Sequence, residues 1–173
     1  MNKKVKLVAL LTFYALVTQA ADVKVMQYKH AGPIEVQKPI LTDSLNVNGK
    51  PFEVKNLLKS TISFEQALKN AQVVEADTAG KITFNTPEKG YALHLFSFFL
   101  NSDRYTKGTL DVSGSGSFEV YVDNKSVGSS SELTMEPRRY EVIIKYLTAA
   151  TDTCPPDLKV IYKTKSDAKI SAS

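Results

Sequence analysis

Over the second half of the chain, apolar and polar residues alternate at every second position. In "SFEVYVD", Phe118, Val120 and Val122 fall on one face, with Glu119 and Tyr121 on the other. In "YEVIIKYL", Tyr140, Val142, Ile144 and Tyr146 lie opposite Glu141 and Lys145. "TLDVSG" and "LKVIYKT" keep the same period. A period of two is the signature of a strand with one face in a core and one towards solvent. "YALHLFSFFL" (91–100) is apolar on both faces, which predicts a central strand covered on both sides.

Turn chemistry punctuates these runs. In "SLNVNGKPFEV", Asn48-Gly49 separates Leu45 and Val47 from Phe52 and Val54, a pattern that predicts a tight hairpin. "VVEADTAGKITFN" repeats the plan around a turn at 77–80, ahead of Ile82 and Phe84. In "GSFEVYVDNKSVGSS", the alternation runs straight into Asp-Asn-Lys, which predicts a second hairpin with Asn124 at positive φ. "SFEQALKNA" is the one helical candidate: Ser63 and Gln66 have capping-box spacing, and Phe64, Ala67, Leu68 and Ala71 share a face. Together these elements predict a mostly-β chain, an antiparallel β-sandwich of jelly-roll type over about 23–164, with one short helix near 64–70. The expected core is Leu45, Val47, Phe52, Ile82, Phe84, Leu93, Leu95, Phe98, Val120, Val122, Val142, Ile144, Val160 and Tyr162.

The first residues change how charge is read. Lys3, Lys4 and Lys6 precede an apolar run from 7 to 17, too short to span a bilayer, and Thr18-Gln19-Ala20 offers small residues for a signal peptidase. The expectation is a signal peptide at 1–20, cleaved after Ala20, then a sandwich at 21–164 and a polar tail or linker start at 165–173. The product would be exported, periplasmic or extracellular. The whole chain carries a net charge of +4, but three of its 22 Lys+Arg leave with the signal, so 19 face 18 Asp+Glu. A domain near neutrality has no electrostatic case for nucleic acid, and none for a membrane once the signal is gone. Cys154 is the single cysteine, in the loop "TDTCPPD"; it excludes an internal disulfide and reads as inert.

No catalytic constellation emerges, and no metal or cofactor is expected. His94 alternates with Ala92 and Phe96 in the most apolar strand and reads as a hydrogen-bonded core histidine, while His30 in "YKHAGP" reads as a loop residue. "SGSGS" (113–117) lacks the spacing and the strand-to-helix context of a nucleophile elbow and reads as a turn. Asp103, Asp111, Asp123 and Asn124 carry oxygens but form no dense calcium loop. Glu119 and Glu141 lie on strands and could face each other, although outward glutamates are ordinary on a sandwich. Sugar binding is the stronger option. Tyr105, Tyr121, Tyr146 and Tyr162 are candidate platforms, against the absence of tryptophan. The residues singled out as candidate ligand contacts are Tyr105, Tyr121, Asp123 and Asn124.

"GTLDVSGSGSFEVYVDNKSV" followed by "ELTMEPRRYEVIIKYL" (108–147) resembles half of a recurrent secreted jelly-roll module, the protective-antigen-like and carbohydrate-binding-type sandwiches. Asn124 and Arg138 stand where those modules often have glycine. Across the chain, "YKHAGPIEVQKPILTDSLNVNGKPFEVKNLL", "VVEADTAGKITF" and "LKVIYKTKSDAKISAS" are similar to the leader region of large secreted bacterial proteins. In those proteins a sandwich precedes a β-propeller and often a prolyl-oligopeptidase-type serine peptidase domain. The resemblance implies a non-catalytic accessory or interaction module whose partners are other domains of a longer chain or another protein. The catalytic serine, aspartate and histidine of that family have no counterparts in this sequence. The alternative expectation is a free-standing carbohydrate-binding module with a glycan ligand.

Overall fold

The computed structural model describes residues 21–38, 45, 49–164 and 168–173. The expected signal peptide at 1–20, and Val47 and Asn48 of the first expected hairpin, lie outside the described residues.

Two antiparallel sheets face each other. The strands are β1 (Ala21–Lys24), β2 (Gln27–Val36), β3 (Gln72–Glu75), β4 (Lys81–Thr83), β5 (Tyr91–Ser102), β6 (Thr106–Gly114), β7 (Ser117–Val122), β8 (Lys125–Val127), β9 (Ser130–Met135), β10 (Arg139–Ala149), β11 (Asp157–Thr164) and β12 (Ile170–Ala172). The larger sheet runs β3-β2-β5-β10-β7-β8, with β12 continuing beside β5 past the end of β2. The smaller runs β1-β11-β6-β9, with β4 following β1 along the same side of β11. A short helix α1 (Phe64–Leu68) and a 3-10 turn (Val54–Lys59) complete the chain. This is the mostly-β antiparallel sandwich that the alternation predicts.

The main core fills the space between the sheets. Phe96, Phe98 and Leu100 of β5, Val142, Ile144 and Tyr146 of β10, and Val160 and Tyr162 of β11 are buried there. The odd-numbered face of β5 is covered as well, as its two-sided apolarity requires: Leu93 packs with Leu147, Leu57 and Leu58 in a second cluster on the outer side of the larger sheet. That outer layer explains a departure from the sequence reading. Residues 50–54 do not form a strand; Phe52 and Val54 lead into the 3-10 turn and pack on the second cluster, while Leu45 is 65% exposed and belongs to no core. Apolar positions that match a period of two here serve a covering segment rather than a hairpin. Lys145, 4% exposed on the outer face, donates from Nζ to the Ser60 carbonyl (2.6 Å) and fastens that segment to β10.

Four other local readings meet the structure directly. Ser63 caps α1, its Oγ accepting from Gln66 N–H (3.4 Å). The turn at 77–80 forms, with Asp77 Oδ1 accepting from Ala79 and Lys81 N–H (2.8 and 2.9 Å), but it joins β3 and β4, which belong to different sheets, so it is not a hairpin. At 123–124 a two-residue hairpin joins β7 to β8, with Asp123 at φ 48° and Asn124 at φ 63°. Both central residues are left-handed, the type I′ pattern that matches strand twist. Within 165–173, read as a polar tail, Ile170–Ala172 forms β12 and packs Ile170 and Ala172 against the main core.

Candidate binding site

At the end of the sandwich where β7 begins and β10 ends, three segments surround a cleft of about 330 Å³. They are the β6–β7 turn with Ser115 and Gly116, the β10–β11 loop with Asp152 and Cys154, and the start of the 3-10 turn with Val54 and Lys55. Tyr91, Leu147 and Pro156 give it apolar surface; Ser115, Ser117, Thr148 and Thr153 give it hydroxyl-bearing walls.

The turn owes its shape to glycine and aspartate. A Cβ on Gly116 would lie 2.8 Å from the Tyr146 ring, so only glycine lets the chain pass over that ring. Asp157 Oδ1 accepts from Ser115 N–H (2.8 Å), and Ser115 Oγ accepts from Asp157 N–H (3.2 Å), a reciprocal clasp between the β6–β7 turn and β11. Lys81 pairs with the other Asp157 oxygen. The Lys81 ammonium holds the Asp157 carboxyl below its ordinary range. Ser115 Oγ also lies 3.3 Å from the Tyr146 hydroxyl.

Behind Thr148 the two histidines meet. His30 and His94 share a short contact, Nε2 to Nδ1 at 2.9 Å, and His94 Nε2 lies 3.1 Å from Thr148 Oγ1. Thr148 donates to the Ala92 carbonyl (3.3 Å), so its oxygen accepts from His94 Nε2–H, and His94 Nδ1 then accepts from His30 Nε2–H. The chain of donors runs in one direction from β2 through β5 to β10, with both imidazoles neutral. Their rings stack (9° between planes), and His30 stacks on Phe96 at 4.6 Å. Burial pushes His94 down to about 4, helped by the charge that His30 would carry, and burial lowers His30 too. Thr148 is 1% exposed with its proton on a carbonyl, and His94 is a poor base, so the trio holds strands together and lacks the arrangement of an activated nucleophile.

His94 is therefore the hydrogen-bonded core histidine that the sequence predicts, but His30 is not a loop residue. It lies in β2, whose register shifts between Ala31 and Ile34. Gly32, at φ 144°, occupies that bulge, and a Cβ there would lie 3.0 Å from His94 Nδ1. Pairing of His30 with His94 across 64 residues had no local signal in the sequence.

The candidate contacts Tyr105, Asp123 and Asn124 lie at the opposite end of the strands from the cleft. Tyr105 is 59% exposed between β5 and β6. Asp123 is committed internally: one oxygen accepts from Glu141 N–H (3.0 Å) and the other pairs with Arg138 (2.8 Å). Asn124 is exposed at the turn. Tyr121, on the outer face of β7, packs its ring edge-on to Phe64 of α1 and donates to Glu119 Oε2 (2.6 Å). Burial and Glu119 raise its hydroxyl to about 12. Tyr146 and Tyr162 are fully buried and offer no platform. Glu119 stands opposite Lys145 in the strand pairing, and Glu141 lies four residues away along β10, so the two glutamates do not face each other. Asp111 pairs with Lys163, and Asp103 accepts from Lys169 N–H; among the described residues no three His, Cys, Asp or Glu groups gather as a metal site.

In class, the chain is a two-sheet antiparallel β-sandwich. No family model matches it, and no curated protein is similar to it in sequence. Among solved structures, a selenomethionine-labelled β-glucosidase from Kluyveromyces marxianus is similar over 79% of this chain and 17% of that one, at 10% identity and a TM-score of 0.44. The chain thus spans about a sixth of that protein's length, and a likeness of this degree carries no argument about function.

Proposed function

We propose that this chain is a non-catalytic accessory β-sandwich that acts by binding, and that its ligand is a carbohydrate seated in the cleft at the β6–β7 turn. The observation that carries the reading is the cleft's lining. Tyr91 and Leu147 supply apolar surface, Ser115, Ser117 and Thr153 bring hydroxyls, and Asp152 and Lys55 stand at its rim. Sugars present alternating apolar faces and hydroxyl edges, and a concave site with a few convergent polar groups suits them. Its volume falls within the roughly 300–1,000 Å³ of small-ligand sites.

The sandwich is read as jelly-roll type. Support comes from the way consecutive strands change sheet: β5, β7 and β10 lie in the larger sheet, and β6, β9 and β11 in the smaller. The module is exported and serves as the N-terminal part of a larger propeller or peptidase protein. Sequencing the transcript beyond the Ser173 codon tests that placement, and a stop codon there refutes it. For the ligand, an array of immobilised glycans probed with the mature protein is expected to give defined hits. Ser117→Trp fills the cleft from an exposed position and abolishes them without lowering the melting temperature. Hits unaffected by Ser117→Trp, or lost instead on Tyr105→Ala, would move the site to the other end of the strands.

A further inference from the structure

The cleft does not stop at the β6–β7 turn. Gly116 and Ser117 form a saddle that also borders a second depression, about 440 Å³, along the outer edge of β7. Lys55 lines both, and Lys59 lines the second. Resting on the carbohydrate reading above, we infer that the ligand is an acidic oligosaccharide of at least two sugar units, bearing carboxylate or sulfate, which crosses the saddle with its anionic group between Lys55 and Lys59.

Charge availability supports this. Two carboxylates line the paired depressions, and both are engaged internally: Glu119 accepts from the Tyr121 hydroxyl (2.6 Å), and Asp152 accepts from Ala149 N–H (2.8 Å). Lys59 lies within electrostatic reach of Glu53 but makes no ion pair with it among the described residues, and Lys55 pairs with Glu53, both of those side chains being more than half exposed. An exposed pair of that kind contributes little and yields readily to a better anion. The lysines are held in place: their 3-10 turn is anchored by buried Leu57 and Leu58 and by the Lys145 bond to Ser60.

The strand edge offers further contacts. Asp123 N–H donates to Glu141 O of β10 (2.9 Å), so the odd-numbered residues of β7 bond to β10. The N–H and C=O of Phe118 therefore point away from β10, and β8 covers the edge only from Val120 onwards. Phe118 borders the second depression, which gives a ligand there a backbone donor and acceptor beside the ammonium groups. The absence of a side chain at Gly116 keeps the saddle low.

The test uses a glycan panel that pairs each acidic oligosaccharide, uronate-bearing or sulfated, with a neutral one of equal length. Acidic glycans of two or more units are expected to bind most tightly, and to weaken as salt rises from about 50 to 300 mM. The double variant Lys55→Gln/Lys59→Gln, at two exposed positions, is expected to weaken acidic binding about tenfold and neutral binding by a clearly smaller factor. Equal binding of neutral and acidic partners, or an unaffected double variant, overturns this inference and leaves the carbohydrate reading standing. A panel with no hit in either class overturns both.

Discussion

Lowering the pH should loosen this sandwich well before its carboxylates titrate, because the His30–His94 pair refuses a proton. His94 is 1% exposed and its pKa is pushed down to about 4, from an ordinary 6.5. An unfolded chain accepts that proton near pH 6.5; the folded chain does not until about 4. Folding stability contributed by the neutral form is thus complete above 6.5 and is lost progressively as pH falls from there towards 4. One pKa unit is worth about 1.4 kcal/mol, so at pH 5, some one and a half units below the unfolded value, the loss is about 2 kcal/mol. In a domain of this size that lowers the melting temperature by roughly 4–8 °C. His30, partly buried, is shifted in the same direction and adds to the effect. Asp111 and Asp157 have lowered pKa values, so their contributions are lost only as pH falls through and below the ordinary 3.8, and the interval from 6.5 to 4.5 belongs to the histidines.

The assay is urea unfolding of wild type and His94→Gln at pH 7.5, 6.5, 5.5 and 5.0. At pH 7.5 the variant is less stable by about 1–3 kcal/mol, because His30 and Thr148 lose a well-placed partner. Between pH 7.5 and 5.0 the wild type drops by about 2 kcal/mol, while the variant, which keeps only the His30 share of the effect, drops by clearly less. A wild type equally stable at both pH values would refute the argument, as would a variant that keeps the full slope. Proton NMR titration of the two imidazoles gives an independent reading, with both expected to titrate below 6.5.

Three further outcomes follow from the backbone. Asn124→Gly should be neutral or slightly stabilising, and Asn124→Val should cost about 1–2 kcal/mol through strain at positive φ; melting curves with calcium and with chelator should coincide, and a chelator-sensitive wild type would count against the structural account of this turn. Asp123→Ala should cost about 1–3 kcal/mol, since it removes the acceptor of Glu141 N–H, whereas Asp123→Asn keeps an acceptor and should cost less, as measured by urea unfolding. Gly108→Ala should cost about 1–3 kcal/mol by thermal melting. Its Cβ would lie 2.4 Å from the Lys163 carbonyl and 2.5 Å from the Tyr162 hydroxyl, neither of which can move aside, so an unchanged melting temperature would contradict this packing.

The strands legible in the sequence are those whose two faces meet different surroundings. β7, β10 and β11 alternate because one face meets the main core, and their core residues fell where period two put them. β5 was legible for the opposite reason, being apolar throughout because both faces are covered. β2 escaped because Gly32-Pro33 punctuates it; the bulge at that point shifts the register and lets pairing with β5 resume beyond it, a device invisible to pattern reading. Phe52 and Val54 were misread as a strand because a segment lying over a sheet must also be apolar on one side. Nothing local separates a covering segment from an added strand when its anchor is a lysine 85 residues away.

The cleft was less legible than the fold for a related physical reason. A strand's pattern is written by its own burial, residue by residue, whereas the cleft is assembled from the ends of elements: a glycine-serine turn, a loop after β10 and a 3-10 turn more than 50 residues earlier. Each of these carries only turn chemistry, and Ser115 in "SGSGS" looks the same whether it faces solvent or Tyr146. The residues that stand out by type, the exposed Tyr105 and the Asp123-Asn124 pair, stand out because a turn needs them or because nothing covers them. Asp123 illustrates the point: its carboxylate suggested a ligand, and the fold uses both of its oxygens, on Glu141 and Arg138. In a sandwich, then, polar residues between strands are first explained by the turns they close. A surface becomes a candidate site where, as around Lys55, Lys59 and Ser117, polar groups converge on a cavity that the turns themselves do not fill.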